Sequence, residues 1–489
     1  MKTDRTTLSN AVACCLLLLL PINLVYAETK LDIQAAYVLF AQNVDNGQTV
    51  PLVRVVVNGL NSQCPSLISP DQSPPTLQPR QNPDPAHFPI TVCEAIYPTN
   101  TALKIAQSDV VLPAVTPNTK DIIVFGDTGC KTSQAPCTAE STHWPFPALA
   151  AQAATRQADV VLHMGDYNYS GTPGNISING QTVQVYDAGD NTTQGLCKIP
   201  GAYYGQNDPG STQADSWQAW QSNFFTPAKP LLAAAPWVFT RGNHELCSRA
   251  GIGWFYLLDS NSPLLGKYAS QLSCPATTNH NPIVLSPPYL LDLGAMNLVV
   301  LDSANACDSG LLHADDYRNQ FALINALINN AKHKPHTWLQ THRPFWGVDS
   351  RDPVGACGTD ASNPSCFISQ TLQQANQQVP LKSAVSLILS GHMHRFQVVS
   401  FTAPNHPNQL VIGNGGVTLS SLYPKKTQVM SIDQQDATVM GVHDFGFMAL
   451  SLHPTHWRGQ LLNPLHKKPE LVTCHSDHYP ICHLQAGVK

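Results

Sequence analysis

Residues 159–169 read DVVLHMGDYNY, an apolar run of strand length that breaks abruptly into Gly165 and Asp166, with Tyr169 three places further on. Four other apolar runs end in the same manner: DIIVFGDTG (121–129), WVFTRGNHE (237–245), HTWLQTHRP (336–344) and VSLILSGHMH (385–394). In an open α/β sheet, ligands bind outside the carboxyl ends of the strands, so five such endings can converge on one crevice although they are far apart in the chain. Helix-like segments lie between the runs. The clearest is 317–330, where Tyr317, Phe321, Ile324 and Ile328 recur at helical spacing after the acidic pair Asp315 and Asp316, which suits an N-terminal turn. WPFPALAAQAATRQ (144–157) and SWQAWQSNFF (216–225) are weaker helical patterns, and QLVIGNGG, FGFMALSLH and WRGQLLN read as strands after Gln409. This alternation predicts α/β architecture over 119–489.

The preceding stretch has a different character. AAYVLFAQ, LVRVVVNG and FPITVCEAIYP are β-prone runs without helical periodicity, and a proline-rich surface loop, 65–89, separates the second from the third. They predict a small all-β domain over 28–118. Residues 1–27 read as a secretory signal peptide: Lys2 and Arg5 precede AVACCLLLLLPINLV, and VYA ends at Ala27 like a cleavage site. A secreted protein, periplasmic or extracellular, is expected, with no membrane association once the signal is removed. Of fourteen cysteines, Cys14 and Cys15 lie in that signal. The other twelve are an even number in a chain sent to an oxidising compartment, which predicts disulfides. Spacing suggests Cys130/Cys137, Cys357/Cys366, Cys474/Cys482 and Cys64/Cys93, and leaves Cys197, Cys247, Cys274 and Cys307 unassigned. With 43% hydrophobic residues, 12% charged residues and a formal charge of −5, the composition is that of an ordinary globular protein. It offers no basic stripe for a nucleic acid partner.

The strand endings carry the chemistry. Asp127, Asp166, Tyr169, Asn243, His244, His342, His392 and His394 offer carboxylate, phenolate, amide oxygen and imidazole, donors for hard or borderline ions. Singly, each has an ordinary explanation as a helix cap, turn former, core ring or solvated histidine. Their joint order, GD, GD, GNH, H, GHxH, is what carries weight. Other motifs are weaker. VIGNGG lacks the Lys-Ser/Thr of a phosphate-binding loop and reads as a hairpin turn, and no GxSxG elbow supports serine hydrolase chemistry.

In that order the chain resembles the calcineurin-like metallophosphoesterases over roughly Asp121 to Arg395. The resemblance implies a metallophosphoesterase-type α/β sandwich, two mixed β-sheets flanked by helices, here with the small N-terminal all-β domain. Most of that superfamily opens with DxH, whose histidine binds the first metal, and here Gly129 stands in its place. The GDxxY spacing of Asp166 and Tyr169 is similar to that of the purple acid phosphatases, where a phenolate binds ferric iron. Carried over, the first metal is held by Asp127, Asp166, Tyr169 and His394, the second by Asp166, Asn243, His342 and His392, and Asp166 bridges. The implied cofactors are two metal ions, Fe(III) at the Tyr169 site and Fe(II), Zn(II) or Mn(II) at the second. The implied reaction is hydrolysis of a small phosphate monoester by a metal-bound hydroxide, with His244 protonating or hydrogen-bonding the leaving oxygen.

The chain also departs from the family. The stretch after His342, RPFWGVDSRDPVGAC, has none of the further histidines many purple acid phosphatases carry there, and RFQ follows GHMH. Glu245 reads as a support for His244, Arg241 and Arg343 as solvated groups or phosphate contacts, and His443 with Asp444 as part of a surface hairpin. A phosphodiesterase or nucleotide hydrolase on the same metals is the alternative enzyme. A non-catalytic phosphate-binding protein is the alternative of another class.

Overall fold

The computed structural model describes residue 1 and residues 31–486, except 71–72, 132–133, 135, 139, 171–174, 179–180, 185–214, 248, 275–283, 309, 312, 349–368, 404–405, 422–426, 478 and 480. The expected signal peptide therefore lies outside the described residues, Met1 apart. Strands Asp121–Phe125, Val160–His163 and Trp237–Phe239 lie side by side and parallel. Their alternation has a physical cause in two apolar layers. Ile122, Val124, Val160, Leu162 and Val238 face one cluster, while Ile123, Phe125, Val161, Trp237 and Phe239 face another. The outer cluster is closed by Phe146 and Leu149 of helix Phe146–Ala154 and by Leu231 and Leu232 of helix Thr226–Ala234.

A second sheet repeats the scheme. Met296–Leu301, His336–Thr341, Leu387–Ser390 and Asn408–Ile412 run parallel in that order. Leu298, Val300, Trp338, Leu387, Leu389 and Leu410 share the cluster that holds Val124 and Leu162, so the sheets pack face to face. On the far side Val299, Leu301, Leu339 and Ile388 meet Tyr317, Phe321 and Ile324 of helix Ala314–Asn330. Antiparallel strands complete both sheets, of eleven and eight strands. The result is an α/β sandwich of two mixed sheets flanked by helices, as the sequence implies.

The N-terminal region is all-β, as expected, but apart from a two-stranded ribbon of Leu67–Ile68 with Lys104–Ile105 its described strands do not form a sheet of their own. Strand Ile33–Gln42 pairs in parallel with Trp237–Phe239, and Thr49–Asn58 and Ile90–Ile96 follow it outward in the same eleven-stranded sheet. The boundary expected at 118/119 falls inside one compact unit, Leu31–Lys489. Edge pairing explains this: Tyr37 and Leu39 join the outer cluster built by Trp237 and Phe239. Cys64–Cys93, Cys130–Cys137 and Cys474–Cys482 are bonded as the spacing suggests, and Cys247–Cys274 joins two residues that spacing left open. Cys307 is disulfide-bonded as well, whereas Cys197, Cys357 and Cys366 lie outside the described residues. No described helix is long and apolar enough to cross a membrane.

A buried ion cluster fastens the N-terminal strands to segment 254–262. Glu94 Oε2 receives Arg80 at 2.6 Å and Arg54 at 3.3 Å, and Ser262 donates to its other oxygen at 2.6 Å. Arg54 also donates to the carbonyls of Leu257 and Asp259, and Arg80 to that of Phe255. Burial acts to raise the Glu94 pKa, but the two guanidinium groups outweigh it and leave it below the ordinary 4.5. Stability from this carboxylate is therefore fully present above the unfolded-state value and lost as pH falls through the folded one. Glu94→Ala, which strands two buried cations, should cost about 3–5 kcal/mol in denaturant unfolding at neutral pH, and the deficit should shrink in acid.

Candidate metal centre

All five strand endings converge at one edge of the sandwich, three from the first sheet and two from the second. Asp127, Asp166, His392 and His394 adopt positive φ angles of 56°, 62°, 73° and 49°. A left-handed conformation in a non-glycine residue costs on the order of 1–3 kcal/mol and persists only where its surroundings impose it. Here they do. Asp127 N–H donates to Gly165 O at 3.0 Å, Gly391 N–H to His342 O at 2.9 Å, and His392 N–H to Asp127 Oδ2 at 2.8 Å, so each turn is held by another. Gly165 lies at φ +98°, and a Cβ there would sit 2.7 Å from His342 Nδ1, which explains the glycine of the GD motif.

Asn243, His342, His392 and Asp166 form one half of the centre. His342 Nδ1 lies 2.6 Å from the Met164 carbonyl and Nε2 lies 2.7 Å from Asn243 Oδ1. Burial lowers its pKa to about 3, so the ring carries one hydrogen, and Met164 O takes it. Nε2 is then bare. His392 Nδ1 approaches the same Asn243 oxygen at 2.8 Å, and Asp166 Oδ1 is 3.4 Å from His342 Nε2. Lone pairs therefore converge with too few hydrogens between them. A cation resolves that, and the residues fit one.

Tyr169, Asp127, Asp166 and His394 form the other half. The Tyr169 hydroxyl lies 2.7 Å from Asp166 Oδ2, 3.2 Å from Asp127 Oδ1 and 3.0 Å from His394 Nε2. One hydroxyl hydrogen faces two carboxylate oxygens, with a ring nitrogen beside them. Burial, reinforced by Asp166, raises the Asp127 pKa, and burial with both carboxylates raises that of the phenol. Burial also works to raise Asp166, but His342, His244 and the His244 backbone N–H hold it below the usual carboxylate range. Burial keeps His394 neutral. Ligand atoms of Asp166, His342 and His392 lie within 4.8 Å of one another, as do those of Asp127, Asp166 and His394, so Asp166 belongs to both groups. At Gly129, a Cβ would meet Tyr167 O at 2.5 Å and Tyr169 Cδ2 at 2.6 Å. The tyrosine ring and a side chain at 129 therefore exclude each other.

Around these groups the structure corrects several expectations. Glu245 does more than the support of His244 read from the sequence. Its two oxygens accept the backbone N–H groups of Asp166, Tyr167, Asn168 and Gly242 at 2.9–3.1 Å, which ties the loop of Asp166 to the turn of Asn243. Arg241 and Arg343 are buried rather than solvated; Arg241 pairs with Asp302 at 3.0 Å and Arg343 with Asp308 at 2.7 Å. VIGNGG is no hairpin turn. Gly415 N–H donates to Gly126 O and Val417 N–H to Asp127 O, so the segment underlies the Asp127 loop. His244, with a pKa lowered to about 4 by burial, places its ring centre 3.8 Å from that of Tyr169. His443 is exposed, but its segment is no hairpin, since the strands on either side of it, Gln435–Val442 and Phe447–Leu452, belong to different sheets; Asp444 pairs with His466 at 2.9 Å. Two polar residues went unread in the sequence. His163 hydrogen-bonds Thr128 Oγ1 and Gly165 N–H, joining the two GD loops, and Asp308 lies 2.7 Å from His392 Nε2. His163 falls within the quoted strand, so its polarity was a signal; Asp308 sits in an irregular loop and gave none.

The description Calcineurin-like phosphoesterase belongs to the family model that matches residues 120–396, more than half of the chain. A search of curated proteins found no match.

Because the Gly129 position and the Tyr169 ring compete for one space, Gly129→Ala should push the phenol out of line. Elemental analysis should then show binding of one cation weakened by about 10–100-fold. Unchanged metal content would mean that the contact with the ring is immaterial.

Proposed function

The chain belongs to the calcineurin-like phosphoesterase family, and from that premise we propose that this metal-dependent phosphoester hydrolase acts on small phosphate monoesters in the manner of a purple acid phosphatase. One observation carries the subtype: the Tyr169 hydroxyl lies between Asp127, Asp166 and His394 while Gly129 leaves room for its ring. Only a strongly polarising cation draws the proton from a phenol that burial and two carboxylates keep protonated, which favours Fe(III) at this position and a divalent ion, Fe(II), Zn(II) or Mn(II), at the other. When bound, the two cations polarise the phosphoryl group and lower the pKa of the attacking water.

The chain's own residues have distinct tasks in this reading. Asp127, Tyr169 and His394 hold the first cation, Asn243, His342 and His392 the second, and Asp166 spans the two. His244, adjoining Asn243 and packed on Tyr169, donates a proton or hydrogen bond to the leaving oxygen. Lys131, whose Nζ lies 5.2 Å from the Tyr169 ring centre, supplies positive charge beside the first site. The described disulfides and the apolar leader ending at Ala27 support export of the mature chain.

Purified protein should hydrolyse a chromogenic aryl phosphate at mildly acid pH and show a tyrosinate-to-iron absorption band in the visible. Tyr169→Phe should abolish the band and Asp166→Ala should reduce hydrolysis to background. A colourless wild type with full metal content would refute the iron assignment. Turnover of a bis-aryl phosphate equal to or above that of the monoester would refute the substrate class. Export predicts a mature N-terminus at Glu28 on sequencing, and an intact Met1 on protein from its native host would contradict it.

A further inference from the structure

His392 differs from the other histidines of the centre in what stands behind it. Its Nδ1 points at Asn243 Oδ1, 2.8 Å away, and its Nε2 lies 2.7 Å from Asp308 Oδ2. The same carboxylate oxygen receives Arg343 at 2.7 Å, and Arg343 is fully buried. Arg343 Nη1 also lies 2.8 Å from this nitrogen, so a bare Nε2 would face one donor and one carboxylate oxygen at contact distance. With Nε2 protonated, Oδ2 accepts one hydrogen from the ring and one from the guanidinium, and the lone pair moves to Nδ1. With Nε2 turned to the Asp308–Arg343 pair, Nδ1 is the nitrogen that addresses the cation, and the carboxylate favours a lone pair there. Behind His342, by contrast, stands only a neutral carbonyl, Met164 O, at 2.6 Å.

Asp308 is itself fixed from two sides. Burial would raise its pKa, but Arg343 and His392 hold it below the usual carboxylate range. Its loop is clamped to the start of helix Gln370–Gln378: Cys307 N–H donates to Thr371 Oγ1, Thr371 N–H to Cys307 O, and Gln370 N–H to Asp308 O. The carboxylate therefore meets the ring in a preset position.

We propose that Asp308, buttressed by Arg343, is a positioning residue of the second cation site, one that holds the His392 ring with Nε2 turned to the carboxylate and Nδ1 toward the cation. The inference rests on the two-cation reading above. Its consequence is selective: the second site depends on Asp308 and the Tyr169 site does not. A carboxylate behind a ligating histidine is worth about 10–100-fold in metal affinity.

The test is a divalent-ion titration of the purified protein, Zn(II) or Mn(II) in a chelator buffer, followed by elemental analysis, with wild type, Asp308→Asn and the double variant D308N/R343Q. The double variant removes both charges together, so that a buried, unpaired guanidinium does not unfold the protein. Thermal unfolding and the visible band of the Tyr169 site report on fold and first cation. The expected result is affinity for the second cation lower by about 10–100-fold in both variants, with the band and the unfolding midpoint of the double variant retained. Wild-type affinity for the second cation in a folded variant would overturn the proposal while leaving the two-cation reading intact, as would parallel loss of both cations in the folded double variant. A wild type that binds fewer than two cations would overturn both.

Discussion

Asp166 is buried at the junction of two sheets, and its two oxygens face opposite ways. One lies near His342 and accepts the His244 N–H, and the other receives the Tyr169 hydroxyl. Its neighbour Asp127 is just as buried, and like charge from Asp166 adds to the cost of ionising it. Two carboxylates and a phenol in so little polar volume cannot all be ionised without positive charge among them. The arrangement is costly for a protein alone and favourable for one that binds cations. The remaining geometry follows from this: neutral imidazoles with bare nitrogens, an amide oxygen shared by two rings, and four residues held in a left-handed conformation.

Gly129 and Tyr169 show how one position constrains another across forty residues of chain. A side chain at 129 and the ring at 169 claim the same volume, so a histidine at the first motif and a tyrosine after the second are mutually exclusive ways to complete the centre. This turns the absence of the DxH histidine into a geometric requirement. The local strain at Asp127, Asp166, His392 and His394 is borne by the three apolar clusters, which fix the strands on either side of each turn.

Around the convergent side chains lies a frame of buried polar residues, each holding one element in place. Glu245 gathers four backbone N–H groups from two loops, His163 bridges the GD loops, and Asp308 with Arg343 orients a ring. Such groups are expensive to bury and rigid once satisfied. They keep the donors where a cation finds them without reorganisation, which is the condition for tight binding at a buried site.

By itself the sequence determined the order of strands and motifs, the residue types at the strand ends and hence the convergent set from Asp127 to His394, because periodicity and turn chemistry are local properties written along the chain. Three of the disulfides were legible for the same reason, since their loops are short or their spacing close. The merging of the N-terminal strands into the main sheet was not, because strand pairing at an edge depends on which apolar faces meet. Nor were the tautomer of His342, the partners of His392, the task of Glu245, or the burial of Arg241 and Arg343. Those depend on partners such as Met164 O, 178 residues from His342, and Asp308, 84 residues from His392. A hydrogen bond acts over about 3 Å, and only the folded chain brings such distant groups within that range.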